Sequence, residues 1–197
     1  MSSDSTAAGA PAPPLLDTRQ ASLPGNRTRD ARLERMIRVD HAGEFGARRI
    51  YAGQLAILRN HPKAPTIQRM HDQEVEHVEA FEKLVADRRV RPTVLQPLWH
   101  VAGFILGAGT ALLGERAAMA CTVAVETVID EHYAGQAAQL GPDEAELKTT
   151  IESFRADEIE HRDIGLANGA EQAFGYPLLS GMIKAGTRAA IWLSERL

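Results

Sequence analysis

Apolar residues recur at helical intervals along most of this chain, and no stretch alternates as a strand would. Over residues 28–60 the positions Leu33, Ile37, Ile50, Leu55 and Leu58 hold a largely helical spacing, which predicts one long helix. A second helix is expected over 66–88; it is dense in acid (Asp72, Glu74, Glu76, Glu79, Glu82) yet must bury one face. Between them Asn60-His61-Pro62-Lys63-Ala64-Pro65 interrupts the pattern. A further pair over 115–140 and 143–168 is divided by Leu140-Gly141-Pro142-Asp143, with Asp143 expected to cap the second helix. Pro177 opens a last amphipathic helix over 177–197, carrying Leu178, Leu179, Met182, Ile183, Ile191, Trp192 and Leu193. The segments 28–89 and 115–169 read as a diverged internal repeat of two helical hairpins.

Residues 91–114 differ in kind. From Pro97 to Gly114 eighteen residues carry no Asp, Glu, Lys or Arg, which is at the lower limit for a membrane-spanning helix. Four glycines and His100 weaken that reading. The run fits a buried crossover joining two hairpins, a helix lying in a membrane interface, or a span.

Composition narrows the class. At 197 residues, 44% hydrophobic and 24% charged, the chain reads as a single domain, soluble or attached to a membrane surface. A net charge of −4 argues against nucleic acid as a partner. The lone Cys121 permits no intrachain disulfide and sits in an apolar run, as a core residue would. Residues 1–27, rich in Ser, Ala and Pro near the start and with Arg19 the first basic residue, lack the apolar core of a signal peptide; they are expected to be a mobile tail on a domain over 28–197.

The chemistry lies in a repeated motif. Glu74-Val75-Glu76-His77 and Glu158-Ile159-Glu160-His161 each read Glu-x-x-His, which sets a carboxylate and an imidazole one turn apart on a helix face. Glu44 precedes the first copy's Glu by thirty residues and Glu126 precedes the second by thirty-two. If each helix break turns a hairpin, all six side chains return to similar depths. Two lone glutamates and two Glu-x-x-His motifs from four helices make the ligand pattern of ferritin-like di-metal bundles. Four carboxylates balance two divalent cations, and without metal their charges would repel in a low-dielectric core. Oxygen and imidazole donors suit iron or manganese, and two ions roughly 4 Å apart could act jointly on dioxygen. Glu44 and Glu126 are expected to be the carboxylates their helices contribute singly, Glu74 or Glu158 to bridge, and His77 and His161 to cap one ion each. Glu76 and Glu160 should face solvent. Asp40 and Asp130, each four residues from a lone Glu, could orient ligands. His41, His61, His71 and His100 have no assigned role, and glycines 43, 46 and 53 should permit close packing.

On these residues the chain resembles the di-iron demethoxyubiquinone hydroxylases of ubiquinone biosynthesis. The likeness spans about residues 30–197 and rests on Arg38-Val39-Asp40-His41-Ala42-Gly43-Glu44, Glu74-Val75-Glu76-His77, Val125-Glu126 with Glu131-His132-Tyr133, and Asp157-Glu158-Ile159-Glu160-His161. It implies an all-α, ferritin-like four-helix bundle with an apolar crossover and a C-terminal amphipathic helix. It implies two iron ions per chain on Glu44, Glu74, His77, Glu126, Glu158 and His161, with His132 and Tyr133 at positions tied to substrate or electron relay. Hydroxylation of a polyprenyl methoxy-methyl-benzoquinol is implied, with dioxygen and a reductant such as NADH. So is peripheral attachment to a membrane surface, at the cytoplasmic face of a bacterial inner membrane or the matrix face of the mitochondrial one. A lipid-presenting accessory protein and a homo-oligomer are further implied partners. The substrate is expected to pass between the crossover and the last helix. Competing readings are a rubrerythrin-like peroxidase, weakened by the lack of a Cys-x-x-Cys pair, an iron-storage protein, poorly matched by the apolar run, and a bundle whose acids merely solvate it.

Overall fold

The computed structural model describes the backbone of residues 24–197 and the side chains from residue 31. The expected tail lies mostly outside the described residues. Six α-helices follow in order: α1 (Pro24–Leu58), α2 (Ala64–Asp87), α3 (Gln96–Leu112), α4 (Glu115–Ala137), α5 (Ala145–Ala167) and α6 (Tyr176–Ser194). Single 3-10 turns precede α5 and α6, and no strand occurs among the described residues. The helical period seen in the sequence is thus the period the chain adopts. Boundaries shift by a few residues. Asp143 lies inside the turn Pro142–Glu144, and Glu144 takes the N-cap position of α5, so the cap expected from Asp143 is displaced by that turn.

The two hairpins α1–α2 and α4–α5 pack into a four-helix bundle, with α3 laid along α1 and α6 along α4. Helix α4 is enclosed on most sides; its run Ala117, Ala118, Ala120 and Ala124 is small enough to admit neighbours all round, as buried helices require. The core joins Ile37, Phe81, Met70, Met119, Leu147 and Ile151, each at most 1% exposed. Cys121 belongs to it, and burial pushes its thiol up to about 12.

Helix α3 meets α1 backbone to backbone. A Cβ on Gly107 would overlap the carbonyl of Ile50, and one on Gly53 that of Phe104. Gly43 and Gly46 do not follow the expectation: their Cβ directions are open, and both border a cavity between α1, α3 and α6. The other face of α3 is exposed at Leu98, Val101, Ile105 and Leu112. A fully buried crossover is therefore overturned, because only one side of α3 has a helix to cover it. A span is overturned as well: no helix of the described residues is long and apolar enough to cross a membrane.

Candidate metal centre

Glu44 on α1, Glu74 and His77 on α2, Glu126 on α4, and Glu158 and His161 on α5 meet at the bundle's centre, each at most 2% exposed. Their ligand atoms form two groups. Glu44, Glu74, His77 and Glu158 lie within 4.8 Å of one another, as do Glu74, Glu126, Glu158 and His161. Glu74 and Glu158 are common to both groups, whereas Glu44 and Glu126 belong to one each. The interposed Glu76 and Glu160 face solvent, as expected.

Both imidazoles turn Nδ1 inward. That of His77 stands 3.2 Å from Glu44 and 3.3 Å from Glu158. That of His161 stands 3.2 Å from Glu74 and 3.4 Å from Glu158. Without cations these groups distort one another's titration. Burial, then the neighbouring Glu158 charge, pushes Glu74 and Glu126 well above the carboxylate range. Burial would also raise Glu158, but the imidazoles of His161 and His77 hold it at about 2. Burial works against a charged His77 too, yet Glu158 and Glu44 drive it up to about 12.

The donor set fits a pair of divalent cations. Both oxygens of Glu74, both of Glu158, one of Glu126 and Nδ1 of His161 are buried and lack a hydrogen bond. Orphaned atoms of that kind are costly, and here they point at one another, as cation ligands do. A bundle whose acids merely solvate it does not account for them.

Supports around the cluster repeat as well. Tyr51 Oη, on α1, donates to Glu126 on α4 at 2.7 Å, and Tyr133 Oη, on α4, donates to Glu44 on α1. Each tyrosine follows its own helix's glutamate by seven residues, a sequence signal that pointed to Tyr51 and was missed. Asp157 and Gln73, each immediately before a motif glutamate, bond the outer nitrogens of His77 and His161 and were missed too. Asp40 is buried, but it takes a hydrogen bond from Gln136 at 2.8 Å and lies 3.4 Å from His132, making no bond to Glu44. Burial raises Asp40 to about 6. Asp130 turns outward to Arg155 and Arg162 at 2.6 and 3.1 Å and orients no ligand, because two arginines on α5 offer it better partners.

A cavity of about 490 Å³ reaches this cluster from one side. Ile50, Trp99, Leu106, Ile129, Met182 and Ile183 furnish its apolar walls, and Asp40, Glu44, His132 and Tyr133 its polar end. Ligand pockets commonly have this build, apolar walls with a few convergent polar groups. Glu126 and Tyr51 are absent from its lining.

Known proteins share this arrangement's sequence. Residues 31–194 match the family model "Ubiquinone biosynthesis protein COQ7". A 3-demethoxyubiquinol 3-hydroxylase of Rhodospirillum rubrum is 59% identical over 181 residues, covering 91% of this chain and 85% of its own. The mitochondrial NADPH-dependent 3-demethoxyubiquinone 3-hydroxylase of Homo sapiens is 55% identical, over 85% of this chain and 79% of its own. The mitochondrial 5-demethoxyubiquinone hydroxylase of Saccharomyces cerevisiae is 45% identical, over 84% and 78%.

Proposed function

The chain belongs to the ubiquinone biosynthesis protein COQ7 family, and from that premise we propose that it hydroxylates a polyprenyl demethoxyubiquinol with dioxygen at a pair of iron ions. It is an enzyme, a hydroxylase of ubiquinone biosynthesis, and family membership favours this over a peroxidase or a storage protein. The observation that carries the di-iron reading is the convergence of six buried ligand residues from four helices. A ring C–H becomes C–OH; the second oxygen atom leaves as water, taking up two electrons and one proton from a reductant and a second proton from solvent. That reductant is a reduced nicotinamide dinucleotide; the human relative's name specifies NADPH where the resemblance implied NADH.

Glu74 and Glu158 would hold both ions, Glu44 with His77 one, and Glu126 with His161 the other. Iron so held would activate dioxygen and pass on the reductant's electrons. The cavity walls keep water from the reacting ring. His132, set against Asp40 at the polar end, is placed to exchange a proton with a quinol hydroxyl. Tyr133 holds Glu44 beside it.

A polyprenyl quinol resides in lipid, so exposed Ile105 and Leu112 on α3 and Met182 and Trp192 on α6 support attachment to a membrane surface. The inner bacterial membrane or, for a mitochondrial protein, the inner membrane's matrix face is the compartment; a lipid-presenting accessory protein and a homo-oligomer remain further proposed partners.

The test is turnover of demethoxyubiquinol by iron-loaded protein under ¹⁸O₂. One labelled oxygen per product and about two irons per chain are expected. Label arriving from water, or turnover without iron, would overturn the reading. Ile105→Glu with Leu112→Glu should reduce vesicle binding, and unchanged binding would remove the membrane face.

A further inference from the structure

The site is two-fold repetitive in nearly every respect. Each group has one private glutamate, Glu44 or Glu126, and shares the other two. Each private glutamate accepts a bond from a buried tyrosine of the opposite hairpin. Each histidine directs Nδ1 inward and is braced from outside by the residue preceding the other motif's glutamate. The repeat breaks there. Nε2 of His77 faces the carboxylate of Asp157 at 3.2 Å, while Nε2 of His161 faces the amide oxygen of Gln73 at 3.1 Å. With Nδ1 kept as the ligand atom, Nε2–H is the donor in both bonds.

A carboxylate behind a ligating imidazole raises its basicity and fixes its tautomer, whereas a neutral amide mainly orients it. The two groups carry the same number of glutamates, so among the ligands' direct hydrogen-bond partners the charge difference lies behind the histidines. Resting on the di-metal reading above, we infer that the two positions are unequal: the one served by His77 and Asp157 binds its cation first and more tightly, and the one served by His161 and Gln73 fills second. Asp157 and Gln73 are positioning residues, acting through the histidines.

Calorimetric titration of the metal-free full chain with Co(II), without dioxygen, tests this. Cation–cation repulsion alone would split two equal positions into two steps, so the variants decide. Asp157→Asn should weaken the first step by about 10-fold or more, the usual cost of an outer partner, and Gln73→Glu should tighten the second. With equal positions, Asp157→Asn would leave the first step in place, since the cation would simply begin at the His161 position, and weaken only the second. That result overturns the inference while leaving the di-metal reading intact; absence of any Co(II) binding would overturn both. Asp157 is 36% exposed at its side chain, so a change of one atom there does not threaten folding, and a thermal melt of the metal-free variant checks it.

Discussion

The hairpins α1–α2 and α4–α5 are close copies where they face the carboxylate–histidine cluster and unlike elsewhere. Inward, each offers a lone glutamate, a tyrosine two turns on, and a Glu-x-x-His helix. Outward, α1 takes α3 against its glycines, while α4 is wrapped by alanine-mediated contacts. The polar surroundings differ too. Asp40, four residues before Glu44, gathers Gln136 and His132 at the cavity; Thr122, four before Glu126, lies near the amide of Gln54 in the closed core. The proposed pair of cations would constrain both hairpins equally, but a substrate needs only one approach. What the repeat keeps is the centre, and what it lets diverge is the side from which the centre is reached.

The largest test attacks what both halves share. Glu158→Gln should lose both metals and lower turnover by more than about 100-fold, beyond the cost of an outer partner; iron per chain and product formation measure it. Next, the two tyrosines should separate. Tyr133→Phe, on the cavity, should lower turnover by roughly 100-fold, whereas Tyr51→Phe should act through metal affinity, by about 10-fold. Equal effects on turnover would mean that the cavity side confers nothing. A smaller effect tests the outer faces. Gly107→Ala should cost about 1–3 kcal/mol in thermal unfolding, from overlap with the Ile50 backbone, and Gly109→Ala on the same helix, with open space, should gain up to ~1 kcal/mol. Smallest of all, the Cys121 thiol, buried and held near 12, should resist alkylation at pH 8 until the protein unfolds.

Much of this was legible in the chain. Helical spacing and two proline-marked breaks gave the hairpins, and paired motif spacing gave the six residues that meet, since a ligand's position along its own helix is a local property. Asp130 shows where that logic stops: like Asp40 it lies one turn from a lone glutamate, though after it rather than before, but Arg155 and Arg162 on a neighbouring helix draw it outward. Tyr51, Gln73 and Asp157 act on partners across the bundle, and which helices face one another is decided by packing. Their spacing signals existed, yet acquire meaning only once α1 is set against α4 and α2 against α5. The exposed side of α3 was similarly hidden, because an unbroken apolar run does not say which of its faces will find a neighbour.

The glycine joint fixes one side of the cavity: with carbonyl oxygens of α1 seated where side chains would be, α3 cannot slide without collision. The opposite side is α6, which rests on α4 and is tied to α3 at one end, Trp99 Nε1 donating to Ser194 Oγ at 2.9 Å and, just beyond the helix ends, Val94 N–H donating to the Leu197 carbonyl at 3.3 Å. The chamber therefore has one fixed wall and a seam latched at one end. A long-tailed molecule need not be threaded end-on through such a chamber. It can be taken in edgewise along the seam, its head seated at the polar end while its tail stays outside the chamber.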